Sequence, residues 1–182
     1  LLSMSTITLT TQTSLDGMKL KWENVDIILN NALIDPALIC KSWSGQLSFT
    51  RENTDTGKVG LRGAQLGALH ASIAHFSIGD KFEPATIVLP TGTGKTETML
   101  ASMIFNCTEK LLVLVPSNAL RLQIFKKFTT LGFLPLIDVV PTDIQLPRVL
   151  KIEVGIKDEN EALEILSHSN VIIATPDILN AS

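Results

Sequence analysis

The sequence predicts an α/β fold, a parallel sheet with flanking helices, preceded by a smaller N-terminal segment with short β-like alternations. Three observations lead there. After Gly60, continuous apolar runs alternate with segments whose apolar residues recur at helical spacing, the pattern of a parallel sheet with helical crossovers. A glycine-rich run, Pro90-Thr91-Gly92-Thr93-Gly94-Lys95-Thr96, lies where an apolar run gives way to helical spacing. Finally, 182 residues with a 45% hydrophobic share suffice for one domain with a real core.

Taken in order, residues 6–10 (Thr-Ile-Thr-Leu-Thr) and 46–49 (Gln-Leu-Ser-Phe) alternate as half-exposed strands do. Between them, residues 25–33 (VDIILNNAL) fit either a strand or a short helix, which Pro36 ends. The polar run RENTDTGK, residues 51–58, is turn-rich and marks a boundary between a segment 1–58 of unassigned role and a domain 59–182. Leu66, Leu69, Ile73 and Phe76 give residues 62–76 a helical face. A short strand is expected over 85–89, a helix over 96–105 and a doubly buried strand over 111–115. A helix over 119–128, a weaker strand over 136–140, an amphipathic helix over 159–166 and a strand over 171–174 complete the series. No internal repeat or low-complexity tract is present.

The glycine-rich run carries the clearest chemistry. The first N–H groups of a helix have no intrahelical partner, and together with the helix dipole they hold anions. Gly92 and Gly94 let the backbone curl around a phosphate without a Cβ in the way. Lys95 supplies a charge for the β- and γ-phosphates, and the Thr96 hydroxyl a ligand for Mg²⁺. Pro90, Thr91, Thr93 and Glu97 complete the expected nucleotide-binding stretch. The general pattern G-x-x-x-x-G-K-[ST] places its first glycine at position 89, where this chain has Leu89.

The net charge of −3 offers no bulk attraction for a polyanion, so contact with nucleic acid would depend on local groups. Cys40 and Cys107 lie far apart in unrelated contexts, outside any CxxC spacing, and read as reduced thiols. The N-terminus lacks the basic start and apolar core of a signal peptide, and no apolar run reaches membrane-spanning length. A cytoplasmic protein with no membrane partner is the expectation.

PTGTGKT resembles motif I of superfamily 2 helicases and translocases. Upstream, Leu61-Arg62-Gly63-Ala64-Gln65 followed by Ala68, Leu69 and Ala71 is similar to the L-R-x-x-Q-x-x-A stretch that reads adenine in that superfamily. The resemblance implies that Gln65, whose amide is both donor and acceptor, addresses the adenine edge, with Arg62 assisting. Downstream, Val115-Pro116-Ser117 resembles motif Ia and Thr175-Pro176 resembles motif Ib. By the resemblance, Pro116, Ser117, Thr175 and Pro176 meet the backbone of a nucleic-acid strand, more readily DNA than RNA. The likeness covers residues 61–179 and implies a RecA-like P-loop NTPase fold with ATP and Mg²⁺ as cofactors. The type III restriction and DEAD/DEAH-like branches both fit, with the R-x-x-Q form leaning to the former.

The same family uses an Asp-Glu pair after a further apolar strand to hold Mg²⁺ and polarise water. Asp158-Glu159 is the one Asp-Glu dipeptide in the chain, but no strongly apolar strand precedes it and it comes before Thr175 rather than after. Asp138 is followed by Val139 and Val140, which continue its run. The expectation is therefore part of a first motor lobe, completed by the remaining helicase lobes of the same polypeptide and inactive alone. The rival expectation is a P-loop ATPase or kinase acting on a protein or a small molecule, which would have no need of Gln65, Pro116 and Thr175.

Overall fold

The computed structural model describes residues 35–78 and 83–180, with the main chain of four two-residue strands before them. Those strands form two antiparallel pairs, β1 (Ser14–Leu15) with β2 (Met18–Lys19) and β3 (Ile28–Leu29) with β4 (Ala32–Leu33). The expected strand at 6–10 lies outside the described residues, and the 25–33 run carries β3 and β4. Pro36 opens a helix instead of ending an element. Helix α1 (Pro36–Ser42) starts on it, and Asp35 accepts from the Ala37 N–H at 2.8 Å. Proline suits that first helical position because its missing N–H would have had no partner there.

The remaining elements are α2 (Gly63–Ile78), α3 (Lys95–Phe105), β5 (Leu111–Leu114), α4 (Asn118–Thr130), β6 (Val149–Lys151), α5 (Glu159–His168), β7 (Val171–Ala174) and α6 (Pro176–Asn180). The chain groups into two compact units. One contains the described parts of Leu1–Lys41, Glu109–Thr130 and Leu146–Ser182, the other those of Ser42–Thr108 and Leu131–Gln145.

The first unit is a three-stranded parallel sheet in the order β5-β7-β6, with Leu111 opposite Val171 and Val149 opposite the same residue. Every residue of the central strand β7 is buried, so Val-Ile-Ile-Ala needs no polar alternation. Leu150, Ile152, Ile165, Ile172 and Ala174 form the core on which α5 and α6 close. Helix α4 packs on β6 and β7 and buries Ile124, Phe125 and Phe128. Its Arg121, also buried, donates to the Ile152 carbonyl at 2.7 Å. The guanidinium of Arg148 is buried too, and desolvation lowers its pKa while the Asp35 carboxylate works in the opposite direction. The Asn170 amide donates to the carbonyls of Pro36 (2.8 Å) and Glu109 (3.3 Å), and its oxygen accepts from the Arg148 N–H, which joins three distant segments.

The second unit pairs α2 with α3. Leu61, Leu69, Leu100, Ile104, Leu131 and Leu134 are fully buried in it. Trp43, 1% exposed, donates its indole N–H to the Gln145 carbonyl at 2.7 Å.

Three expected strands are corrected. Residues 85–89 take no regular secondary structure and join no ladder, and Val88 is 86% exposed. A parallel strand exists only beside a neighbour, and among the described residues the parallel sheet consists of β5, β7 and β6. Residues 136–140 form turns: Leu136 and Ile137 donate to the Phe133 carbonyl, Val139 donates to that of Leu134, and Asp138 takes a φ of 55°. The third sheet strand is instead Val149–Lys151, too short for its alternation to stand out. Residues 46–49 form no strand either, although the Ser48 N–H reaches the Val139 carbonyl at 2.8 Å.

Candidate nucleotide-binding site

The second unit holds the glycine-rich loop. Gly92 and Gly94 both take left-handed backbone, with φ of 80° and 86°. Gly94 is the N-cap of α3 and makes no side-chain cap hydrogen bond. The N–H groups of Lys95 and Thr96 open the helix, where no intrahelical acceptor exists for them. Lys95 is exposed and has no ion-pair partner among the described residues. Thr96 is half-buried beside it, with Pro90 and Thr91 exposed at the entry to the loop. Thr93 closes the turn internally, its hydroxyl donating to the Pro90 carbonyl at 2.7 Å.

Two side chains from the start of α2 brace this loop. Arg62 Nη1 donates to the Gly92 carbonyl at 2.8 Å, and Gln65 Nε2 donates to the Gly94 carbonyl at 3.0 Å. Gln65 Oε1 meanwhile accepts from the Arg62 N–H at 2.8 Å, one half of a capping box for α2. Because a peptide plane points its C=O and the next N–H in opposite directions, tying back the Gly94 carbonyl turns the Lys95 N–H away from α2. The approach is close enough that a Cβ on Gly94 would overlap Gln65 Nε2. Gln65 is 5% exposed, and its amide retains one N–H and one lone pair beyond these bonds.

Glu97, in the first turn of α3, is buried. Its carboxylate lies 3.4 Å from where a Gly94 Cβ would stand and 3.5 Å from the equivalent point on Gly132. Glu97 thus packs under the loop, beside the turn that follows Leu131. Its adjacency to the loop in the sequence is the one signal that groups it there.

The other predicted contacts belong to the first unit. Strands β5 and β7 are parallel neighbours, and the ladder continues one bond further as the Val115 N–H donates to the Ala174 carbonyl at 3.0 Å. Their carboxyl ends therefore set Pro116-Ser117 beside Thr175-Pro176. Ser117 Oγ accepts from the Leu120 N–H at 3.3 Å and so caps α4. Thr175 is 6% exposed, and its hydroxyl makes no hydrogen bond among the described residues. Its carbonyl accepts from Ile178 and Leu179 at the start of α6.

Asp158 is the N-cap of α5, accepting from the Glu161 N–H at 2.9 Å, while Glu161 Oε2 accepts from the Lys157 N–H at 2.6 Å. The Asp158-Glu159 pair is thus built into a helix start. Cys40 and Cys107 form no disulfide. Among the described residues, no group of three or more His, Cys, Asp or Glu is placed to hold a metal, and no helix is long and apolar enough to cross a membrane.

A parallel sheet with flanking helices, together with a glycine-rich loop that opens a helix, defines a P-loop domain. The family model described as type III restriction enzyme, res subunit, matches residues 58–180, and the chain belongs to this family of ATP-dependent, helicase-like proteins. No curated protein and no solved structure matches the chain.

Proposed function

We propose that this chain binds Mg-ATP through the loop from Pro90 to Glu97 and serves a motor that moves on nucleic acid. The observation that carries the reading is the braced loop. Arg62 and Gln65 tie its carbonyls to α2, leaving the N–H groups at the start of α3 and the unpaired Lys95 ammonium for an anion. The donor set fits the ligand: backbone N–H groups and Lys95 for phosphate oxygens, and the Thr96 hydroxyl for Mg²⁺. Bound Mg²⁺ would neutralise phosphate charge. The chain's own part is to orient the triphosphate, with the remaining N–H and lone pair of Gln65 turned to the adenine edge.

In the proposed motor, Pro116, Ser117, Thr175 and Pro176 take the backbone of one strand. The uncapped Thr175 hydroxyl and the start of α4 supply donors that carry no base information. DNA is the preferred partner over RNA, the other helicase lobes belong to the same polypeptide, and the cytoplasm is the proposed compartment. Residues 59–182 form the ATP-binding part, and 1–58 precede it without an assigned role. The described residues hold no Asp-Glu pair after an apolar strand, so the chain alone should bind nucleotide and turn it over negligibly.

The test is the ATPase of the protein that carries this chain, measured with and without DNA and RNA. Stimulation by a strand, more by DNA, is expected. Equal rates with and without either strand would contradict the motor reading and favour an ATPase or kinase acting on another substrate.

A further inference from the structure

Glu97 is an acid buried beside a site for anions. It is 6% exposed in the first turn of α3, where it follows Lys95 and Thr96. A carboxylate there repels phosphate oxygens and offers little surface to Mg²⁺, so direct contact with the ligand does not explain it. Its two oxygens instead flank two glycines. Oε2 stands 3.4 Å from the point where a Gly94 Cβ would lie, and Oε1 stands 3.5 Å from the equivalent point on Gly132. The side chain therefore spans from the phosphate loop to the turn at 131–134, within the second unit.

Both ends of that span are held. Gly94 takes a φ of 86°, and its carbonyl accepts from Gln65 Nε2 at 3.0 Å and from the Thr98 N–H at 3.1 Å. Leu131 and Gly132 are consecutive left-handed residues, with φ of 57° and 58°. Leu131 carries a Cβ and is fully buried, so this conformation is strained and persists only where the packing dictates it. The Leu134 N–H closes the turn on the Leu131 carbonyl at 3.2 Å. Leu100, three residues after Glu97 on α3, lies so near that its Cδ1 is 3.1 Å from the Gly132 Cβ position. Further on, the Val139 N–H donates to the Leu134 carbonyl and the Ser48 N–H to that of Val139, which fastens the turn. A buried side chain wedged between two fixed stretches of main chain acts through its length. We propose that Glu97 is a positioning residue: it props Gly94 against the 131–132 turn and so sets where the Lys95 and Thr96 N–H groups point. This rests on the nucleotide-site reading and refines it, giving Glu97 the support of the loop in place of contact with the ligand.

Calorimetric titration of the chain with Mg-ATP and with Mg-tripolyphosphate, which has neither base nor sugar, tests it, using wild type, Glu97→Gln, Glu97→Asp and Lys95→Ala. Glu97→Gln keeps the length and drops the charge, whereas Glu97→Asp keeps the charge and withdraws the carboxylate by one methylene. Glu97→Gln should bind both probes as wild type does. Glu97→Asp should weaken both by about tenfold, the worth of one hydrogen bond between a loop N–H and a charged phosphate. Thermal unfolding of the same samples separates a merely structural residue. If Glu97→Asp loses stability yet binds as wild type does, the positioning role is overturned. Weakening by Glu97→Gln as large as that by Glu97→Asp would assign the effect to charge, and a loss confined to ATP would assign it to base or sugar. Either would overturn the proposal and leave the phosphate loop standing. Absence of ATP binding by wild type, or Lys95→Ala binding as wild type does, would overturn the nucleotide-site reading and the positioning role with it.

Discussion

Gly94 shows what single residues decide here. It must adopt left-handed backbone, cap α3 without a side chain and admit the Gln65 amide to its carbonyl. Gly94→Ala should therefore cost about 1–2 kcal/mol in backbone strain alone. It should also displace Gln65, weakening ATP binding more than the loss of stability explains. Chemical denaturation together with nucleotide titration separates the two, and an alanine variant with unchanged stability and affinity would refute the geometry. Elsewhere, Glu153 shows a smaller effect. Its hydrogen bond to Lys151 holds its pKa below the usual carboxylate value, so the contribution is present above the ordinary Glu range and lost as pH falls through the lowered pKa. The carboxylate is 59% exposed, so solvent keeps that contribution minor.

Among the elements, most helices and the two longer sheet strands, β5 and β7, were legible in the sequence, while three other expected strands did not form, for one physical reason. A helix satisfies its backbone locally, so the spacing of Leu66, Leu69 and Ile73, or of Ile124 and Phe128, already states which face is buried. A strand depends on a partner elsewhere in the chain. Residues 85–89 and 136–140 are largely apolar, as β5 is, but of these three segments only β5 meets β7. The three-residue β6 became visible only through its pairing with β7. Helix α1 was hidden because Pro36 reads equally as a stop or a start, and the Asp35 cap decides it. The connecting segments carry weight too. Trp43, just past α1, is buried and hydrogen-bonded to Gln145, which ties residues 42–46 to the 131–145 segment. Trp43→Ala should destabilise the second unit by about 3–5 kcal/mol. Denaturant unfolding followed by far-UV circular dichroism would check this, and a loss under about 1 kcal/mol would contradict the packing described.

For the whole molecule, the motif order in the sequence carried more than its element pattern did. Pro90 to Thr96, Arg62 with Gln65, Val115-Pro116-Ser117 and Thr175-Pro176 left two helicase branches open and leaned to the type III restriction branch, which the match over residues 58–180 establishes. What stayed hidden was the interplay among these residues: the use of Gln65 as a capping-box and loop brace, and the burial of Thr175. Each depends on where a carbonyl or a side chain ends up in three dimensions, and spacing alone does not encode it. The proposed function depends on the braced loop holding a triphosphate. Titration of the chain with Mg-ATP, wild type against Lys95→Ala, measures that directly. Saturable binding by wild type that weakens by about tenfold or more in the variant is the predicted result. Identical isotherms for the two proteins would contradict it.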